Sequence, residues 1–103
     1  MADGWIKLYR DIFKHWIFND AEYFRAFLFI LSNAAFEETR QKVGISVVKV
    51  HRGEFITSEN FLCSVLGWSK TKLRNFFDAL ISENMLKKTI VNKKTKLIVV
   101  NYE

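Results

Sequence analysis

The sequence Ser-Lys-Thr-Lys-Leu-Arg-Asn-Phe-Phe-Asp-Ala-Leu-Ile-Ser-Glu, residues 69–83, has the pattern of an amphipathic helix. Its apolar side chains recur three and four positions apart, which places them on one helix face. The members of this face are Leu73, Phe76, Phe77, Leu80 and Ile81. Ser69 stands directly ahead of the helix, where its hydroxyl can accept a hydrogen bond from an amide of the first turn. Asn84 follows the last turn, and asparagine tolerates the left-handed backbone that often ends a helix.

The opposite face of this helix is polar and mostly positive. Its side chains are those of Lys70, Thr71, Arg74, Asn75 and Asp78. Lysine and arginine are common contacts to phosphate, and arginine and asparagine can also form paired hydrogen bonds with guanine and adenine. The face therefore has the chemistry needed to meet a nucleic acid.

Residues 58–66 predict a shorter helix directly upstream. Its apolar residues are Phe61, Leu62, Val65 and Leu66. We expect Thr57 or Ser58 to cap its first turn, and Gly67-Trp68 to form a tight corner after it. A helix, a glycine corner and a capped second helix are typical of a helix-turn-helix, which we assign to residues 58–84.

Residues 86–102 predict a basic hairpin, or wing, after the second helix. Two strand-like runs, 86–92 and 95–102, are joined across Lys93-Lys94. The tip contains no glycine, so we expect a longer loop rather than a tight type I′ turn. Residues 97–100 are apolar on both faces, which favours the middle strand of a small sheet, paired with residues 54–57.

Two additional helices are expected in residues 5–36. Aromatic residues at helical spacing predict the first from about Trp5 to Trp16. Asn19-Asp20 breaks that helix and caps the next, which should cover residues 21–35. Asn19 and Glu22 have the spacing of a capping box.

The second of these helices is apolar on every side between Ala26 and Leu31. Such a helix must be covered all round, and a chain of 103 residues has little material with which to do so. Part of the helix is therefore expected to meet a second subunit, although enclosure by its own neighbours is the alternative. The residues assigned to this oligomerisation contact are Phe24, Phe27, Leu28 and Leu31.

Residues 42–57 predict a β-hairpin. Apolar residues alternate from Val43 to Val47 and then shift phase towards Val50, as in a strand with a bulge. Residues 51–53 should form a turn from which residues 54–57 return. The polar residues 37–41 are expected to form a loop.

The composition is that of one domain spanning residues 1–103. Apolar residues make up 50% of the chain and proline is absent, so long disordered linkers are not expected. The longest apolar run is far shorter than the ~20 residues that cross a bilayer, and the N-terminus lacks the layout of a secretion signal. A single cysteine, Cys63, excludes an intrachain disulfide and fits a reducing cytoplasm. We therefore expect a cytoplasmic protein with no membrane partner.

The positive charge is unevenly distributed. Residues 1–67 contain eight Lys or Arg and eight Asp or Glu, whereas residues 68–103 contain eight and three. The whole net charge of +5 therefore belongs to the second helix and the wing. This asymmetry favours a polyanionic partner, the alternative being a solvated basic surface.

Residues for catalysis or metal binding are not arranged in a recognisable pattern. His15 and His51 are far apart and have no companions at ligand spacing. The four glycines, Gly4, Gly44, Gly53 and Gly67, are isolated rather than grouped in a phosphate-binding loop. We expect no enzymatic activity, no metal and no cofactor.

Several segments in their order along the chain resemble the N-terminal winged-helix domain of DnaD-type bacterial and phage replication initiation proteins. They are Gly4-Trp-Ile-Lys-Leu8, Arg52-Gly-Glu-Phe-Ile-Thr-Ser58, Leu66-Gly-Trp-Ser-Lys70 and Val99-Val-Asn-Tyr102. The chain departs from that family at Cys63 and Asn84, where alanine and glycine are usual. Relatives usually continue into a C-terminal domain, so this chain is expected to be an excised domain or a short relative.

The resemblance implies a cytoplasmic protein of the replication-initiation or primosome-loading kind, whose winged helix also mediates oligomerisation. Together with the element pattern, it predicts an α+β fold. This fold is a winged helix-turn-helix with two extra N-terminal helices and a small antiparallel sheet. Expected partners are DNA, further copies of the chain in a homodimer or larger homo-oligomer, and replication-initiation or helicase-loading proteins.

DNA contacts are assigned to the polar helix face and the wing. The assigned residues are Ser69, Lys70, Thr71, Lys72, Arg74, Asn75, Lys93, Lys94 and Lys96. The competing interpretation of Arg74 is an ion pair with Asp78, one turn further along the helix. Two alternative functions keep the same fold: a transcriptional regulator, and a protein-interaction module that binds no DNA.

Overall fold

A computed structural model describes residues 8–100 and 102 of the chain. This part is a mixed α+β structure with three α-helices and two antiparallel sheets. The helices are α1 (Ala21–Asn33), α2 (Glu59–Leu66) and α3 (Lys70–Ser82). The strands are β1 (Thr39–Val43), β2 (Ser46–Val50), β3 (Glu54–Thr57), β4 (Leu86–Val91) and β5 (Lys94–Val99).

The predicted first helix is not a continuous α-helix in the described residues. The chain instead forms two short 3-10 helices, Arg10–Lys14 and Trp16–Asn19, separated by an extended residue at His15. The imidazole Nδ1 of His15 accepts a hydrogen bond from the amide of Ile17 at 3.2 Å, and this local bond competes with continuation of the helix. Residues 5–7 of the predicted helix lie outside the described residues.

Helix α1 begins at Ala21, as predicted, and its capping residue is Asp20 rather than Asn19. The Asp20 carboxylate accepts a hydrogen bond from the amide of Tyr23 at 3.0 Å, so it satisfies an amide of the first turn. The helix ends at Asn33, two residues before the predicted end, and Ala34 is already extended.

Neighbouring elements enclose only part of α1. Phe27 and Leu31 are each 7% exposed within the hydrophobic core, whereas Phe24 and Leu28 are half-buried at its edge. The chain's own core already covers Phe27 and Leu31, so these two residues of the predicted subunit contact have little surface left for a partner. Phe24 and Leu28 keep surface that another molecule can reach.

The connection between α2 and α3 confirms the predicted helix ends. Ser58 and Ser69 each accept a hydrogen bond from an amide in the first turn of the following helix, at 3.1 Å in both cases. Gly67 has a φ of 73° and ends α2 in the left-handed conformation that glycine adopts without a steric penalty. Asn84, with a φ of 58°, is left-handed after the end of α3.

The three-stranded sheet has the order β3-β5-β4, and all its pairs are antiparallel. β5 is the middle strand and pairs with residues 54–57, as predicted. The prediction of a longer loop between β4 and β5 is wrong. Only Asn92 and Lys93 lie at the turn, with φ values of 49° and 68° as in a type I′ turn. The side-chain amide of Asn92 donates to the carbonyl of Val43 at 3.4 Å, which supports the tight turn from outside.

The prediction of one β-hairpin over residues 42–57 is also wrong. β1 and β2 form a two-stranded hairpin over residues 39–50, so the expected loop 37–41 supplies most of a strand. Its turn lies at Gly44-Ile45, where Gly44 has a φ of 64°. Because glycine allows this left-handed backbone, the chain reverses inside the segment predicted as one strand. β3 then leaves the hairpin and pairs with β5.

The three-stranded sheet has apolar residues on both faces. Leu97, at the centre of one face, is fully buried in the larger core together with the apolar sides of the three helices. Ile56 points from the other face and packs with Val43 and Val50 of the two-stranded hairpin. The sheet is therefore packed between the helices and the β1–β2 hairpin.

The position of Phe27 yields a stability test. Phe27→Asp should lower the free energy of unfolding by more than about 3 kcal/mol, since removal of a buried phenylalanine side chain alone costs this much and the new carboxylate would be buried. Thermal and urea unfolding followed by circular dichroism measure the effect. Phe36→Asp is the matched control, because Phe36 is 48% exposed. Similar melting curves for the two variants would contradict the core position of Phe27.

Candidate nucleic-acid interface

The polar face of α3 is exposed as predicted. Lys70, Thr71, Arg74 and Asn75 are all exposed, while the opposite residues Leu73, Phe76, Phe77 and Leu80 are fully buried. The burial of one side fixes the rotation of the helix about its own axis. Thr71 and Asn75, one turn apart, therefore present a hydroxyl and a carboxamide to solvent.

Arg74 does not pair with Asp78 but with Glu59 at the start of α2. Its Nη2 lies 2.9 Å from Glu59 Oε1, and its Nε lies 3.3 Å from Glu59 Oε2. This two-point contact matches the planar guanidinium to the carboxylate. It lowers the pKa of Glu59 and raises the pKa of Arg74, the side-chain hydrogen bonds being the main cause.

Lys72 contacts other parts of the chain rather than open solvent. Its Nζ lies 2.6 Å from Glu22 Oε1 on α1 and 5.1 Å from the centre of the Trp68 ring. The Trp68 indole also donates to Glu22 at 3.3 Å. The hydrogen bond and charge of Lys72 lower the pKa of Glu22. Lys72 therefore helps to join the first turn of α3 to α1.

Two further residues of the predicted DNA contact are engaged elsewhere. Lys96 lies on the sheet face that carries Ile56, with its Nζ 3.4 Å from Glu54 Oε2, and both of these side chains are largely buried. The hydroxyl of Ser69 accepts a hydrogen bond from the backbone amide of Lys72 and so caps the helix. These two contacts are structural.

Lys70 lies in a basic cleft between the starts of α2 and α3 and the β4–β5 turn. The cleft has a volume of about 330 Å³ and brings Lys70 together with Lys88 and Lys93. Its remaining lining residues are Ser58, Glu59, Asn60, Ile90 and Thr95. The charges of Lys88 and Lys70 contribute to the lowered pKa of Glu59, so both lysines interact electrostatically with the same carboxylate.

Lys88 was missed in the sequence-based assignment of the site. It follows Leu86 by two positions on β4, which places both on the sheet face that meets the helices. Its Nζ lies 5.3 Å from the centre of the Phe77 ring of α3. The period of two in the strand was the signal that could have identified Lys88.

The basic residues of this region, the predicted ones together with Lys88, thus separate into two groups. Among the described residues, no carboxylate lies within ion-pair distance of Lys70, Lys88, Lys93 or Lys94. Lys72, Arg74 and Lys96 each have an acidic partner. The unpaired lysines surround the β4–β5 turn and the start of α3, which is where an anionic ligand would meet uncompensated charge.

Other kinds of site were also considered in the part of the chain that the structure describes. No group of three histidine, cysteine or acidic side chains is arranged to hold a metal ion there. No helix in these residues is long and apolar enough to cross a bilayer. No protein-family model, curated protein or solved structure matches the chain. The resemblance to DnaD-type proteins therefore stays a prediction.

The Arg74–Glu59 pair makes stability depend on pH. Because the folded pKa of Glu59 lies below its ordinary value of 4.5, the pair stabilises the fold fully above that pH. Its contribution is lost as the pH falls through the folded pKa. Glu59→Gln should therefore reduce the loss of stability between about pH 6 and pH 3. Urea unfolding at both pH values measures this loss.

Glu22→Gln provides the comparison for that experiment, because Lys72 lowers the pKa of Glu22 in the same direction. Each single variant should remove part of the pH dependence, and the double variant should remove more. A Glu59→Gln protein that loses as much stability as the wild type over this range would show that the pair does not contribute.

Proposed function

We propose that this chain is a winged-helix DNA-binding protein in which α3 is the recognition helix and the β4–β5 hairpin is the wing. The order α1, β3, α2, α3, β4 and β5, with β5 in the middle of the sheet, supports the proposal. The observation that carries it is the meeting of unpaired Lys70, Lys88 and Lys93 beside the exposed polar face of α3.

The proposed mechanism begins with electrostatic capture. Lys70, Lys88 and Lys93 attract phosphates and release counterions from the duplex. The first turns of α3 then enter the major groove, where Thr71 and Asn75 reach base edges. Asparagine pairs well with adenine.

Arg74 can contribute to DNA binding only if it exchanges Glu59 for a group of the DNA. Its guanidinium can bind guanine if it leaves Glu59, and the two-point contact makes that exchange unfavourable. The Glu59 carboxylate would then still have the positive charges of Lys70 and Lys88 near it in the cleft. Arg74 is therefore a conditional contact, whereas Lys70 is an immediate one.

Participation in replication initiation, in the cytoplasm, is the role that the resemblance to DnaD-type proteins favours. A transcriptional regulator with the same fold would bind one defined operator with a large specificity ratio, while a replication protein would tolerate many sequences. A module that binds only proteins, for example one that contacts a helicase loader, would have no measurable DNA affinity. Competition of a labelled duplex with unrelated duplexes distinguishes the three.

Self-association forms a second part of the proposal. Phe24 and Leu28 of α1 line an open apolar groove with Phe18 and Val65. Among the residues that the structure describes, Arg25 is the single charged one in its lining. The Arg25 guanidinium already donates to the carbonyls of Val65 and Leu66 at the end of α2. A second copy can cover this groove with the same surface of its own, as in a two-fold symmetric dimer.

The DNA contact is tested by the salt dependence of binding. Lys70→Ala and Lys93→Ala should each weaken duplex binding and reduce the slope of log K against log salt by about 0.9, the value for one lost phosphate contact. Fluorescence anisotropy titrations at several salt concentrations give the slope.

Lys14→Ala is the matched control for this test. Lys14 is exposed and lies beside His15 and Trp16, and the Trp16 indole donates to Glu83 just after α3 ends. Glu83 lies about 20 Å along the α3 axis from Lys70, so Trp16 contacts the end of α3 opposite to the basic cleft. Equal slopes for Lys14→Ala and Lys70→Ala, or no duplex binding by the wild type, would contradict the proposed contact.

The subunit contact is tested by Phe18→Asp. Phe18 is 45% exposed, and a charge there should turn a dimer into a monomer while the protein stays folded. Light scattering measures the mass and circular dichroism the melting curve, with Phe36→Asp as the control. A wild-type protein that is monomeric at high concentration would overturn this part of the proposal.

A further inference from the structure

The β1–β2 hairpin lies directly beside the proposed wing. Asn92 at the β4–β5 turn donates its side-chain amide to the carbonyl of Val43, the last residue of β1. Lys42 and Lys94 line one cleft of about 310 Å³ between the two hairpins. The end of the β1–β2 hairpin is therefore held against the end of the wing.

This second cleft continues the first. Ser58, at the start of α2, lines both the cleft of Lys42 and Lys94 and the cleft of Lys70, Lys88 and Lys93. Lys93 and Lys94 are consecutive, and each lines a different one of the two clefts. The unpaired lysines therefore form a connected series from α3 across the wing to the β1–β2 hairpin.

Two basic residues of the β1–β2 hairpin, Arg40 and Lys42, have no evident stabilising role. In its register Arg40 stands opposite Lys49, and Lys42 stands opposite Val47. Like charges directly opposite on paired strands are destabilising. Glu38 pairs with Lys49 at 3.4 Å, whereas Arg40 and Lys42 have no acidic partner among the described residues.

We infer that the β1–β2 hairpin is a second nucleic-acid contact, in which Lys42 and Arg40 bind phosphates of the duplex that α3 and the wing hold. The inference rests on the proposed function and extends its site to residues of the first, charge-balanced part of the chain. The ligand is the sugar-phosphate backbone, because the hairpin offers cations next to cations that already face the DNA. Backbone contacts of this kind add affinity without adding base specificity.

The hairpin also exposes apolar surface, which raises a competing explanation. Ile45 at its turn is 99% exposed, and Val47 is 63% exposed. A second copy of the chain could cover these side chains instead of DNA. The favoured partner is nonetheless the duplex, because unpaired Lys42 and Arg40 on both sides would repel one another in a contact between identical hairpins.

The test compares single charge removals by anisotropy titration of the intact chain with a duplex at several salt concentrations. Lys42→Ala should reduce the slope of log K against log salt by about 0.9, and Lys42→Ala combined with Arg40→Ala by about 1.8. Lys42→Gln keeps the length and polarity of the side chain without its charge, and it should reproduce the effect of Lys42→Ala. Lys14→Ala should leave the slope unchanged. Melting curves confirm that each variant is folded.

The outcomes separate this inference from the proposed function. If Lys70→Ala lowers the slope and the Lys42 and Arg40 variants leave it unchanged, the hairpin contact is overturned and DNA binding by α3 stands. If the wild type binds no duplex, both fail. If the Lys42 variants change the mass measured by light scattering but not the slope, the hairpin belongs to a subunit interface, which also overturns the inference.

Discussion

The burial of one face of α3 determines which of its residues can meet a ligand. Phe76 and Phe77 are fully buried, and the Phe76 ring has edge contacts with Tyr23 of α1 and Trp68 of the corner, with ring centres 5.0 and 5.4 Å apart. Rotation of the helix would expose these rings, at a cost of about 1.5–3 kcal/mol for each large side chain brought into water. The outward direction of Thr71 and Asn75 is thus a consequence of packing on the opposite side.

Ion pairs with carboxylates determine which basic side chains remain available to a ligand. Glu22, Glu54 and Glu59 each lie next to one basic residue of α3 or β5, so three of the predicted phosphate contacts have acidic partners. A ligand therefore meets less positive charge on α3 itself than the formal net charge of +5 suggests. Lys88, on β4, supplies part of the charge of the cleft instead. The electrostatic site is therefore displaced from the middle of α3 towards its first turn and the wing.

The sequence predicted the elements whose signals are local and failed where tertiary contacts choose among local options. Ser58, Ser69 and Asn84 act within a few residues of their own position, so the ends of α2 and α3 were predictable. The Gly44 turn was not predicted, because an apolar alternation continues through it. Gly44 allows the reversal, and the two strands that it joins pack Val43 and Val50 with Ile56, a contact that no local pattern shows. The acidic partners of Lys72 and Arg74 are 50 and 15 positions away along the chain, beyond any periodicity argument.

Competition between Glu59 and phosphate follows from the same arrangement. Glu59 lies in the cleft with Lys70 and Lys88 and keeps its charge, since its pKa is lowered. A phosphate entering the cleft must share these lysines with a fixed carboxylate, which reduces the net attraction at this point. The few lysines of one cleft then support only modest affinity, because strong salt-dependent binding needs roughly six to ten phosphate contacts. If the proposed function is right, strong binding would require additional contacts from a neighbouring surface or from a second subunit. The unpaired cations of the β1–β2 hairpin are suited to such a neighbouring surface, and the open apolar groove on α1 is suited to hold a second subunit.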